Sequence, residues 1–146
     1  MTFDKNKKYP LFISHCWDYN KKYYTVVDWI NESDINWRNM SVPNHDPLNP
    51  KTDKELEILL DNRIKNSSLF IIIAGMYISY DETRIWINKE IEIAEKYNKN
   101  ILAIKPWGNK KTPFKIQAVA DKIVNWNSTS VINGIKELLW VQKIQF

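Results

Sequence analysis

Two hydrophobic periods alternate along this chain, one near 2 and one near 3.6 residues, and their alternation predicts strands interleaved with helices. Leu11-Phe12-Ile13-Ser14-His15 reads as a first strand. Tyr23, Val26, Val27 and Ile30 then fall at i, i+3, i+4 and i+7, the apolar stripe of a helix. A second strand fits Ile35 to Val42, alternating as an edge strand does and becoming polar toward its end. The following segment, PNHDPLNPKTD, holds three of the six prolines. It cannot be helix interior and is too long for a tight turn, so it reads as a functional loop. Thr52 and Glu55 have the spacing of a capping box, opening a helix whose Leu56, Leu59, Leu60 and Ile64 share one face.

The run Ser68-Leu69-Phe70-Ile71-Ile72-Ile73-Ala74 reads as continuous and apolar, the mark of a central parallel strand buried on both faces. Met76 to Ile85 reads as a loop, and Trp86 to Tyr97 as a helix. Ile101-Leu102-Ala103-Ile104 is a strand, followed by a proline-bounded loop around Trp107-Gly108. A short helix near Ile116–Ala120, a strand at Lys122–Trp126 and a last helix carrying Val131, Ile135, Leu138 and Leu139 complete the pattern. Five strands alternating with helices require a parallel sheet with right-handed crossovers and helices on both faces, a three-layer α/β/α sandwich. The economical topology is flavodoxin-like, strand order 2-1-3-4-5. Ligands in such sheets sit at the carboxyl ends of the strands, beside the reversal between strands 1 and 3. That places Ser14 to Asp18, Ser41 to Asp46 and Gly75 to Tyr80 around the expected cleft.

Length and composition narrow the class. At 146 residues, residues 1–146 are expected to form one domain with one sheet, and 44% hydrophobic with 26% charged residues is ordinary for a packed protein. No apolar run reaches the roughly 18 to 20 residues that span a bilayer, and MTFDKNKKYP contains no signal-peptide core. A cytoplasmic protein away from the membrane is expected. Cys16 is the only cysteine, which excludes an internal disulfide and thiolate zinc. The net charge of +4 comes from scattered lysines and small pairs rather than a dense stripe. Nucleic acid is therefore not an expected partner, while an anionic small substrate suits the charge.

Several chemistries fail at the cleft. A phospho-receiver needs an Asp at the end of strand 3, where this chain has Ala74-Gly75. Walker and Rossmann sites need a glycine-rich turn after strand 1, where this chain reads SHCWDYN. Cys16 and His15 are strand neighbours whose side chains diverge, which disfavours a nucleophile and base pair. His15 and His45 without a clear carboxylate partner do not make a metal site, and no metal is expected. Glu90 is more informative. It stands i+3 from Ile87 and i+4 from Trp86, beside the stripe Ile87, Ile91, Ala94, so its side chain is expected to be partly buried. Glu92, about 200° further round, should face solvent. A carboxylate against apolar surface near a cleft can hold sugar hydroxyls and stabilise an oxocarbenium ion. From the residues alone, the favoured reading of Glu90 is a rim glutamate paired with Lys89 or Arg84.

LFISHCWD on strand 1, the polar proline-rich loop after strand 2, the apolar FIIIAG strand and W-I-N-K-E-I on the next helix resemble TIR domains. The resemblance is closest to the short stand-alone TIR-like proteins of prokaryotic antiphage systems such as Thoeris, and covers roughly Tyr9 to Leu139. Its most specific part is Trp86 to Ile91, because enzymatic TIR domains carry their catalytic glutamate in a W-x-x-x-E setting. The resemblance implies cleavage of the nicotinamide-ribose bond of NAD, a substrate and not a resident cofactor, with Glu90 as the catalytic carboxylate. It places Ser14, His15, Trp17 and Asp18 on the cleft from strand 1, Ser41, His45 and Asp46 from the long loop, and Tyr77 after strand 3. Trp17 or Trp86 would stack on a planar ring. It further implies an ADP-ribose product, cyclised or joined to an amino acid, that activates a separate effector, together with a phage-derived trigger and a homo-oligomer. The other class it allows is a non-catalytic TIR interaction module. The loop VPNHDPLNP departs from the Arg-Asp and Pro-Gly pattern usual at this position.

Overall fold

The structure, a computed structural model, describes residues 4–14, 21–42, 52–79 and 81–141, with the backbone alone at 79 and 81–83. The elements run β1 (Tyr9–Ser14), α1 (Lys21–Asn31), β2 (Trp37–Asn39), α2 (Asp53–Lys65), β3 (Leu69–Ile73), α3 (Ala74–Ser79), α4 (Asp81–Lys96), β4 (Ile101–Ile104), α5 (Phe114–Val119), β5 (Lys122–Val124) and α6 (Ser128–Trp140). All strand pairs are parallel and the order is β2-β1-β3-β4-β5. The expected flavodoxin-like α/β/α topology is the observed one.

Strand alternation divides the core between the two faces of the sheet. Leu11, Ile13, Leu69, Ile71, Ile73, Leu102 and Ile104 meet α1 and α6 through Tyr23, Val26, Ile30, Val131, Ile135 and Leu138. Phe12, Phe70, Ile72, Ala74, Ile101 and Ala103 meet α2, α4 and α5 through Leu60, Ile64, Ile87, Ile91, Ala94 and Ile116. Each fully buried aliphatic side chain contributes about 1.5–3 kcal/mol relative to exposure. β3 is buried along its whole length, as a central strand covered by helices must be.

The helix ends follow capping chemistry. Thr52 Oγ1 accepts the Glu55 N–H at 3.1 Å, as the spacing predicts, and Asn127 Oδ1 does the same for Ser130 N–H at 2.8 Å on α6. Asn98, at φ 52°, turns the chain after α4, while Lys99 N–H bonds the Ala94 carbonyl at 2.9 Å.

Three boundaries differ from the sequence expectation. β2 is laddered only over Trp37–Asn39, not Ile35 to Val42. Beyond it one backbone bond continues, Met40 N–H to the Leu11 carbonyl at 2.8 Å, and side chains then take over: Ile13 N–H bonds Ser41 Oγ at 2.9 Å, and Ser41 N–H bonds Asn39 Oδ1 at 3.0 Å. Met40 and Val42 remain buried, so the apolar pattern persists where the strand does not. The segment Met76 to Ile85 is not a loop. Six residues after β3 form α3, and α4 begins at Asp81, five residues before Trp86. Arg84 joins the two helices by donating from Nε to the Tyr77 carbonyl at 3.0 Å and from Nη2 to the Ile78 carbonyl at 3.3 Å, two acceptors that the end of α3 leaves open. The last strand stops at Val124 rather than Trp126, and the short helix before it is Phe114–Val119. Among the described residues no helix is long and apolar enough to cross a membrane.

Candidate functional site

The carboxyl end of β1 carries Ser14 on the Phe12 side of the sheet, the side covered by α4. Glu90 comes down from the middle of α4 into the same layer. Ser14 Oγ donates to Glu90 Oε1 at 2.7 Å, and both residues are buried, Ser14 at 1% and Glu90 at 3% exposure. Glu90 is thus part of the stripe that includes Ile87, Ile91 and Ala94 and not merely beside it, whereas Glu92 is exposed as its angular position requires. The rim pairings are taken elsewhere: Lys89 forms an ion pair with Glu57 on α2, and Arg84 serves the α3 carbonyls.

Burial in this apolar layer pushes the Glu90 carboxyl up to about 8, partly offset by the Ser14 hydrogen bond. With its carboxyl raised to about 8, Glu90 is mainly protonated near neutral pH. An incoming cation would favour the anion. Burial of this kind sets Glu90 apart from a surface charge.

The remaining residues expected at the cleft divide into two groups. Ser41 is buried, its hydroxyl on the β1 backbone, and its neighbour Asn39 donates from Nδ2 to Tyr23 Oη at 2.8 Å. Burial raises the Tyr23 phenol, and hydrogen bonds from Asn39 and Ser41 pull it back. Ser41 is therefore joined to β1 one residue before Ser14. Tyr77 is buried on α3, and its Oη donates to Asn88 Oδ1 on α4 at 2.9 Å, two residues before Glu90. The Arg84 guanidinium lies 5.2 Å from the Tyr77 ring centroid. Trp86 is half-buried one turn before Glu90, with Lys89 Nζ 5.5 Å from its ring centroid. Ser14 and Glu90 thus meet at the end of β1 and Ser41 is joined to the same strand, while Tyr77 is tied to α4 through Asn88 and Trp86 lies one turn before Glu90. His15, Trp17, Asp18, His45 and Asp46 lie outside the described residues. Among the described residues no cluster of three or more His, Cys, Asp or Glu could hold a metal ion.

The buried helix glutamate bonded to the end of the first strand prompts comparison with known families. Residues 12–111 match the family of the Thoeris protein ThsB, TIR-like domain, a stretch that runs from the second half of β1 past β4 and holds both Ser14 and Glu90. The chain belongs to this ThsB TIR-like family. No curated protein matches it. A solved structure of similar fold is a CMP N-glycosidase, BcmB, of Clostridium botulinum. It superposes with a TM-score of 0.54 at 16% identity, covering 86% of this chain and 97% of that one. At that identity the likeness speaks for the fold alone.

Two contacts near this ThsB-like site were not anticipated. Asn88, which anchors Tyr77, has no signature beyond its place two residues before Glu90. Trp107, from the loop after β4, presses its ring onto the backbone of Gly75: a Cβ built there would lie 2.4 Å from Trp107 Cζ3. A glycine at the end of β3 and a tryptophan after β4 were both visible in the sequence, but their contact depends on the adjacency of β3 and β4.

Proposed function

We propose that this chain is an NAD-cleaving enzyme that breaks the nicotinamide-ribose bond, with Glu90 as its catalytic carboxylate. The observation that carries the reading is the buried Ser14–Glu90 pair at the carboxyl end of β1, where a parallel sheet of this order binds ligands. Family membership and the activity named for the fold neighbour, N-glycosidic cleavage of CMP, are of a piece with it, since both concern a bond from a ribose carbon to a ring nitrogen.

In the proposed step the C1′–N bond breaks with its electron pair moving to the nicotinamide nitrogen, so the ring leaves neutral and the ribose becomes oxocarbenium-like. The Glu90 carboxylate faces that developing charge in a layer with little water, where it acts more strongly than in solvent. The positive nicotinamide ring of the bound substrate draws Glu90 toward its ionised form before the bond breaks. Ser14 fixes the carboxylate, and Tyr77 and Trp86 border it on α3 and α4. A hydroxyl or amine adds at C1′ and loses a proton, giving ADP-ribose, a cyclic isomer or an amino-acid conjugate. We assign the product to signalling in the cytoplasm: it activates a separate effector protein after a phage-derived trigger.

The test is incubation of purified protein with NAD, with and without lysate from phage-infected cells, following nicotinamide and ADP-ribose species by chromatography and mass spectrometry. Glu90→Gln keeps the size and removes the charge, and is expected to lower release at least about 100-fold. Unaltered release by that variant sinks the assignment of Glu90. No release by the unaltered protein under either condition moves the reading to a non-catalytic interaction module.

A further inference from the structure

β1 reaches Glu90 held differently on its two flanks. Toward β3, Leu11, Phe12, Ile13 and Ser14 pair with Leu69, Phe70, Ile71 and Ile72, so this ladder runs up to the residue that meets Glu90. Toward β2 the pairing ends at Leu11 with Asn39, and Met40 N–H adds a backbone bond to the Leu11 carbonyl at 2.8 Å. The next rung is a side chain, Ser41 Oγ accepting Ile13 N–H at 2.9 Å. Ile13 is fully buried, and a backbone N–H at that depth needs an acceptor. The Ser41 hydroxyl supplies it one residue before Ser14.

Ser41 is itself placed from three elements. Asn39 Oδ1 accepts the Ser41 N–H at 3.0 Å, and Asn39 Nδ2 donates to Tyr23 Oη on α1 at 2.8 Å. Arg63 Nη1 on α2 donates to the carbonyl of Met40, between Asn39 and Ser41, at 3.4 Å. The Ser41 hydroxyl also hydrogen-bonds the Tyr23 phenol and lowers its pKa, as a donor to the phenol oxygen does. A serine hydroxyl has one proton. Here that proton goes to Tyr23 while the oxygen takes the Ile13 N–H, which leaves none to donate to a substrate oxygen. Polar groups that satisfy one another in a buried layer make it rigid.

We propose that Ser41 is a positioning residue of this site: by closing the β2 flank of β1 it fixes the end of that strand, and with it the Ser14 hydroxyl that holds Glu90. The inference deepens the NAD-cleaving reading and rests on it for the kinetic arm of its test, whereas the titration arm needs no turnover. Carbon-13 NMR follows the Glu90 side chain against pH in the unaltered protein, Ser41→Ala, Ser14→Ala and the double variant. Burial, the larger cause, raises the Glu90 value and the Ser14 bond lowers it, so a displaced Ser14 lets Glu90 titrate at higher pH. Ser41→Ala should shift the titration upward by no more than Ser14→Ala does. In the Ser14→Ala background it should add nothing, because its route to Glu90 is gone. Tyr23→Phe keeps the ring in the core and removes the partner of the Ser41 hydroxyl; it should act in the same direction by less, and it carries the comparison if Ser41→Ala does not fold. A hydroxyl that served the fold alone would lower the urea midpoint and leave the Glu90 titration in place. That result, or an equal shift with and without Ser14, overturns the proposal. Where the unaltered protein releases nicotinamide, Ser41→Ala should lower kcat about tenfold with KM within about twofold. A raised KM at unchanged kcat makes Ser41 a substrate contact and overturns the proposal as well. The expected titrations in a protein that never releases nicotinamide leave the positioning role standing and remove the NAD-cleaving reading instead.

Discussion

The two faces of the sheet are equally dry in their interior and end differently at the carboxyl edge. On the α2/α4 face the last buried group is an acid, Glu90, supported by Ser14. On the α1/α6 face the last group is an indole, Trp107, pressed on Gly75 beneath a lysine. Packing alone accounts for the second ending: an aromatic ring buries area and meets the backbone where glycine leaves room. Packing does not account for the first. A carboxyl in an apolar layer lowers stability unless it is neutral or paired, and an Ile or Leu there would stabilise the fold more. The face that tolerates a poor fit is the face where chemistry is expected.

The sharpest way to break that contrast is to ask whether Glu90 works against the fold as its surroundings imply. Its carboxyl lies at about 8 in the folded chain against an ordinary value of 4.5, so between those values the folded state holds a proton that the unfolded state has released. Its contribution to stability is complete below about 4.5, and is lost as pH rises through about 8. Glu90→Gln removes this dependence. Urea midpoints at pH 5 and pH 9 should be nearly equal for the two proteins at the lower pH, with the variant ahead at the higher pH by a few kcal/mol. A variant with no advantage at pH 9 would mean the acid is not confined as described.

The other ending is tested by Gly75→Ala. The new Cβ would lie 2.4–2.7 Å from three ring atoms of Trp107, so the indole or the start of α3 must move. Overpacking of this kind costs about 1–3 kcal/mol. Denaturation at fixed pH measures it, and because the Glu90 layer is on the opposite face, the pH dependence should stay that of the parent. An unchanged midpoint would show that the ring does not rest on the backbone.

The same contrast explains what was legible in the sequence. β3 and β4 were plain because both of their faces are buried, so every position is apolar. Glu90 was legible as a helix position next to a stripe, and the family pattern around Trp86 singled it out further. Its depth was not, since burial depends on Phe12 and Ser14 lying beneath it. β2 was overextended because Met40 and Val42 are buried beyond its last strand residue, Asn39, and apolar alternation reports burial rather than strand pairing. α3 was read as a loop because a six-residue helix containing Gly75 has little local propensity. Its residues are held by Arg84 and Asn88 on the next helix and by Trp107 beyond β4.

The smallest expected effect falls on Ser14, and it separates a supporting hydroxyl from a mere neighbour. Ser14 lowers the Glu90 value against the stronger upward pull of burial, because a donated hydrogen bond favours the anion. Ser14→Ala removes the donor and leaves the burial. The Glu90 carboxyl should then titrate at higher pH by about half a unit to one unit, since a hydrogen bond to a charged group is worth about 1 kcal/mol or somewhat more. Carbon-13 NMR of the Glu90 side chain follows this directly in the free protein, with Glu90→Gln fixing the assignment. If the chain cleaves NAD, the acid limb of kcat/KM should move upward in parallel, because that limb reports the free enzyme. A downward or absent shift in the NMR titration would mean that Ser14 does not stabilise the anion.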